Sequence, residues 1–249
     1  MSTPAFSSLS AYTRKFAALI DAGVSLAHSL GILQTMTEDR DLAAANADLT
    51  HRVCQQDQTL SEAMRAHPDV FPPIYIAFVH AGEIGGVLDE TLDDLADWFE
   101  QEQAADQRLR TLQLLTRVAS KVLGPEVPDW NEEEVQAAIS RSRQVARVAS
   151  FCRLFERCLS AGVPLRLALT TAGEVLGDDV AARLLEAAAG LGEDAPLHHA
   201  LAQVAELPPL VADMVAIGEE TASLEHMLRK VAQFLDAEAA RLLHEAARV

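Results

Sequence analysis

Seven carboxylates crowd one stretch of the chain: Asp89, Glu90, Asp93, Asp94, Asp97, Glu100 and Glu102, in VLDETLDDLADWFEQE. Asp89, Asp93 and Asp97 are spaced four apart, so on a helix they stack on one side and repel one another. A divalent cation or a basic partner would relieve that repulsion, whereas a solvated face tolerates it without either. Leu88, Leu92, Leu95 and Phe99 share the opposite face, as an amphipathic helix requires. Other chemistry-bearing residues are scattered. His51 and Cys54 fall three apart, with no orienting acid at motif spacing. His198 and His199 are adjacent and on a helix point about 100° apart, poor geometry for one shared metal. The segment from Gly82 to Gly86 lacks the lysine and Ser/Thr of a phosphate loop. The expectation is therefore no catalytic set, no metal and no cofactor. The alternative is a metal-dependent regulator or small enzyme built on the acidic helix Asp89–Glu102.

Composition narrows the class. Ala and Leu dominate the 249 residues, aromatics are sparse, and alternating β-branched runs are almost absent, so the chain reads as all-α. A formal charge of −17 argues against a duplex nucleic-acid binder and against docking on an anionic membrane surface. Cys54, Cys152 and Cys158 are odd in number and lack CxxC spacing, which predicts plain buried thiols in a reducing cytosol. No secretion signal is visible at the N-terminus, and no window reaches the roughly 18 uncharged apolar residues of a spanning helix.

The elements that must position these residues are repeated. YTRKFAALIDAGVSLAHSL (Tyr12 to Leu30) lines up with FCRLFERCLSAGVPLRLAL (Phe151 to Leu169), pairing Phe16 with Phe155 and Gly23 with Gly162. FPPIYIAFVHAGEIGGVLDETLDDL returns as LPPLVADMVAIGEETASLEHMLRKV, pairing Pro72 with Pro208, Gly82 with Gly218, Glu83 with Glu219 and Leu88 with Leu224. The prolines suit the first turn of a helix. Gly82 reads as its stop, and Gly85 and Gly86 as a sharp corner before the next helix. Thr221 and Ala222 replace that glycine pair in the second copy, which predicts a gentler corner there. Glu83, matched by Glu219, suits either a metal or a partner's arginine, or a structural place between helices, where free N–H groups welcome an anion; the structural place is the expectation. Along the acidic helix the copies reverse charge: Arg229 and Lys230 stand where the first has Asp93 and Asp94, and His226 where it has Glu90. The candidate partner-binding set is therefore Asp89, Glu90, Asp93, Asp94, Asp97, Arg229 and Lys230. Either the acidic face of one copy meets a basic patch, or the copies have diverged toward different partners. The expected organisation is two tandem related antiparallel bundles of about six helices, 1–108 and 136–249, joined by a helical hairpin linker over 109–135. The acidic helix is expected to run on to about Leu123, and Asn131 to cap the helix after it.

Three spaced motifs carry a resemblance: F-x6-GV-x-L from Phe16 to Leu26, LSEAM before HPDVFPP, and AGEIGG-x-LD-x2-L from Ala81 to Leu92. With them the chain resembles the type II secretion system protein F family, the platform proteins of type II secretion and type IV pilus assembly. The resemblance implies a non-enzymatic cytoplasmic helical module, docking machine components such as the cytosolic ATPase and recruited to the inner membrane through partners. A homodimer is left open. Family members place transmembrane helices after each copy and before the second. Here those places hold Arg110, Arg117, Lys121, Arg141, Arg143 and Arg147, each costing on the order of 2.5–3.5 kcal/mol at mid-membrane.

Overall fold

Apolar stripes at helical spacing, punctuated by proline starts and glycine corners, produce twelve helices and no strand among the described residues of the computed structural model. Those residues are 6–103, 107, 132–190 and 196–246. The first copy contributes α1 (Phe6–Asp21), α2 (Leu26–Met36), α3 (Arg40–Gln55), α4 (Leu60–Arg65), α5 (Pro73–Gly85) and α6 (88–103). The second contributes α7 (Glu132–Ser160), α8 (Leu165–Gly173), α9 (Asp178–Gly190), α10 (Leu197–Leu201), α11 (Pro209–Glu220) and α12 (Leu224–Ala246). The fold is all-α, two tandem related bundles. The expected run of the acidic helix to Leu123, the linker up to residue 131 and the Asn131 cap lie outside the described residues, while the linker's last positions open α7.

Local chemistry fixes the helix ends. The Asp39 side chain accepts from the backbone N–H groups of Asp41 and Leu42, both at 3.1 Å, and starts α3. Thr59 and Glu62 close a capping box on α4. Gly23 and Gly162 end their helices at φ +76° and +77°, with matching bonds from Val24 N–H to the Leu19 carbonyl (3.0 Å) and from Val163 N–H to the Cys158 carbonyl (2.9 Å). Left-handed residues of this kind satisfy the orphan carbonyls of a helix end, and only glycine adopts them without cost.

Two expectations about the corners are corrected. Gly82 does not stop α5; the helix continues to Gly85 and is closed by Gly86 at φ +67°. Gly82 is buried inside it, where the next helix passes so close that a Cβ would lie 2.9 Å from the Leu88 Cα. Gly218 meets the Leu224 Cα at the same 2.9 Å. The second corner is also no gentler than the first. Ala222 takes the left-handed conformation of Gly86, at φ +51°, and Ser223 N–H reaches the Gly218 carbonyl (2.9 Å) as Val87 N–H reaches that of Gly82 (3.0 Å). Close helix packing dictates the turn, and the sequence follows at a cost. Left-handed alanine costs roughly 1–2 kcal/mol, and glycine returns part of that as chain entropy. Ala222→Gly should therefore stabilise the protein by about 0.5–1 kcal/mol, read as a higher urea midpoint; destabilisation would contradict the assigned backbone.

Phe16 and Phe155 are both fully buried in one core that runs through both copies. Helix α5 is covered on nearly every side because it packs on α7 and α8 of the other copy as well as on its own. Cys152 and Cys158 are buried as expected, but Cys54 is exposed, since its position lies off the inward stripe Leu42–Ala45–Leu49 of α3.

Candidate partner-binding surface

Helix α6 carries its carboxylates on two stripes, and each faces arginines of the same chain. Arg14 of α1 reaches Asp93 (2.6 Å), Asp97 (2.5 Å) and Glu100 (2.8 Å). On the other stripe, Arg157 of α7 bonds Glu90 and lies 3.4 Å from Asp94. Arg153 lies 3.7 Å from Asp94, and Arg143 pairs with Glu102 at 2.8 Å. The like-charge repulsion legible in the sequence is thus relieved from within, by α1 on one flank and α7 on the other. Asp89 is half-buried one turn before Asp93.

The two stripes differ in kind. Arg14 and its acids are well exposed, so each pair contributes a fraction of a kcal/mol, about 0.2–1. Asp94 is largely buried, and burial holds its carboxyl up at about 6, against the downward pull of Arg153 and Arg157. The folded state therefore binds that proton more tightly than the unfolded chain does. Stability from this group is fully present below about pH 4 and lost as pH rises through about 6. Asp94→Asn lacks the titration. Measured against it in urea melts, the wild type should lose roughly 2–3 kcal/mol between pH 4 and pH 7. A difference that stays flat across that range would mean Asp94 ionises like a surface aspartate.

In the second copy the charges are redistributed. Arg153 also binds Asp236 of α12 at 2.5 Å, repeating the Arg14–Glu100 pair of the first copy. Arg229, standing in the place of Asp93, bonds Glu156 of α7, so at this position the polarity of the pair between helices is reversed. Of the two basic candidates, Arg229 is consumed inside the chain, while Lys230 is exposed and belongs to the opposite flank of α12.

The two repeated glutamates sit in equivalent geometry. Glu83 of α5 accepts from the N–H groups of Leu60 (2.5 Å) and Ser61 (3.1 Å) at the start of α4. Glu219 of α11 accepts from those of Leu197 (2.5 Å) and His198 (3.3 Å) at the start of α10, and from the His198 ring at 2.7 Å. Each carboxylate satisfies helix-start donors that would otherwise lack partners. In sequence His80 reads as a position the fold does not need, because the repeat replaces it by Ala216, yet its ring lies 3.2 Å from Glu174 and joins the first copy to the second. Burial pushes the Cys152 thiol up to about 12 and the Cys158 thiol up to about 11, so neither is a nucleophile near neutral pH. Among the described residues no group of three or more His, Cys, Asp or Glu side chains is placed to hold a metal.

With the repeated corners, the buried phenylalanines and the paired glutamates in place, comparison with known proteins is direct. The profile of "Type II secretion system (T2SS), protein F" matches residues 12–117 and again 151–248, one match per copy. The chain belongs to the type II secretion system protein F family. Within that family it is similar to the type IV pilus assembly protein PilC of Thermus thermophilus, 28% identical over 94% of this chain and 74% of that protein. It is also similar to PilC of Myxococcus xanthus (25%, over 91% and 70%) and to type II secretion system protein F of Aeromonas hydrophila (26%, over 93% and 76%). The Thermus alignment runs over 303 residues against the 249 of this chain, so that family member carries residues for which this one has gaps. No helix among the described residues is long and apolar enough to cross a membrane.

Proposed function

We propose that this chain is a non-enzymatic docking module of a type II secretion or type IV pilus machine, binding assembly components that include its cytosolic ATPase. The observation that carries the reading is the family match to both copies, each with the same glutamate tie and the same buried glycine under its helix corner. Its relatives bear the names of secretion and pilus assembly proteins. In this reading the two bundles, 1–108 and 136–249, form one docking body on the cytoplasmic side, held at the inner membrane through its partners. Rigid helical faces joined by a continuous core present a constant surface, which suits a platform better than a loop-built site would.

The test is genetic and biochemical together. Deleting the gene in its host should abolish secretion or piliation. The purified chain should also co-elute with the purified ATPase of that machine at micromolar concentrations. Normal secretion and piliation in the deletion strain, together with no co-elution, would overturn the assignment.

A further inference from the structure

A cleft that is filled in one copy and open in the other shows, by what fills it, what it is shaped to hold. At the offset that pairs Phe16 with Phe155, Ser8 of α1 meets Arg147 of α7 and Lys15 meets Leu154. Met36, the last residue of α2, meets Val175, two residues past α8. In the second copy these residues close the cleft between the first long helix and the turn that follows the second. Leu154 and Val175 are fully buried, and the Arg147 guanidinium donates from Nε (3.1 Å) and Nη2 (2.9 Å) to the Val175 carbonyl. In the first copy the same cleft stands open as a cavity of about 310 Å³. Serine is too short to replace Arg147, Lys15 is exposed, and Met36 keeps 47% of its surface in water.

The walls of this cavity suit a planar cation. Buried Tyr12 and Leu42 give it an apolar floor. Met36 lines it at the C-terminal end of α2, where helix carbonyls favour positive charge. Glu38 and Asp39 also line it. Asp39 spends Oδ1 on the N–H groups of Asp41 and Leu42, while its Oδ2 and the Glu38 carboxylate have no partner among the described residues. Lys15 is the one cation of the lining, and it serves as an internal comparison. Its ammonium makes a single long bond of 3.4 Å to the Met36 carbonyl and leaves the cavity unfilled. A carbonyl oxygen has a second lone pair to offer, and the guanidinium fork can use it and a carboxylate at once, as a point-like ammonium cannot.

We propose that the cavity between α1 and the α2–α3 turn binds a guanidinium group brought by another molecule, in the place that Arg147 holds in the second copy. The group comes from an arginine side chain of a partner protein or from free arginine, one chemistry with two sources. The Met36 carbonyl and the carboxylates of Glu38 and Asp39 receive its N–H groups, and the floor of Tyr12 and Leu42 receives the aliphatic stem. The proposal stands on the repeat and the cavity, and does not depend on the machine assignment.

The probes are N-acetyl-arginine amide, its lysine counterpart and free L-arginine, each titrated into the isotope-labelled full chain and followed by NMR. The arginine amide should shift the backbone signals of Ser8, Thr37 and Glu38 saturably, and bind at least about fivefold tighter than the lysine amide. Free arginine that binds tighter than the amide marks a small-molecule site; weaker binding, with its own carboxylate set against Glu38 and Asp39, marks a site for a protein side chain. Ser8→Arg supplies the second copy's side chain from within. It should abolish the response to the arginine amide while melting no lower than the wild type. Glu38→Gln, an exposed change, should weaken the arginine amide about threefold and leave melting unaltered. Equal affinity for the arginine and lysine amides would mean that the net charge of −17 alone gathers cations, and would overturn the proposal. No saturable shift at these residues, or an undiminished response in folded Ser8→Arg, would overturn it as well.

Discussion

Gly82→Ala is expected to destabilise the protein by about 2–3 kcal/mol, although alanine is the better helix former by nearly 1. The added methyl would sit 2.2 Å from the Thr91 hydroxyl, 2.9 Å from the Leu88 Cα and 3.1 Å from a Leu88 methyl. The Thr91 side chain could rotate away, but it is fully buried and bonds the Leu88 carbonyl at 3.2 Å. The backbone of α6 cannot yield without opening the corner that Gly86 closes. Gly218→Ala should behave alike, with the Leu224 Cα at 2.9 Å and two Met227 carbons at 3.3 Å. Gly31 supplies the control. It lies inside α2 with nothing within 4 Å of an added Cβ, so Gly31→Ala should stabilise by about 0.5–1 kcal/mol. Urea unfolding of the three variants reads the contrast. A neutral Gly82→Ala would mean that the close approach of α5 and α6 is not what glycine is there to permit.

The second large effect is expected at Arg153. Its side chain is only 19% exposed and lies between Asp94 of α6 and Asp236 of α12. Arg153→Ala leaves two part-buried carboxylates short of their shared cation, a loss of about 3–5 kcal/mol by the general behaviour of broken buried pairs. Arg157 still faces Asp94, which places the expected value near the low end, about 3. Arg14 occupies the equivalent place on α1 and touches three acids, yet Arg14→Ala should cost only about 1 kcal/mol, because water screens those pairs. The comparison separates burial from the number of partners. Equal losses at the two arginines would show that the join between the copies carries no special electrostatic weight.

The acidic stretch illustrates how far a one-dimensional reading goes. Spacing alone predicted a helix with leucines on one face and a repelling row of acids on the other, and α6 has both. It could not supply Arg14 or Arg157, which are distant in the chain and meet α6 only when the bundles fold. Nor could it separate Arg229 from Lys230. They are adjacent in sequence, but on a helix they fall on different flanks, one facing α7 and one facing water. Gly82 was legible as a special position from its recurrence at Gly218, and illegible as to why. A glycine that stops a helix and a glycine that lets another helix pass look alike in sequence. Ala222 is the converse case, a left-handed residue that local propensity argues against and tertiary packing imposes.

The sequence by itself determined the helices, the duplication and the family, because hydrophobic period, proline and glycine act through neighbours a few residues away and both copies repeat them. The tertiary structure alone decided which charges meet and which side chains the join between the copies buries. Those outcomes depend on how one bundle lies against the other, a matter of shape and solvent exclusion that spacing along a chain does not encode.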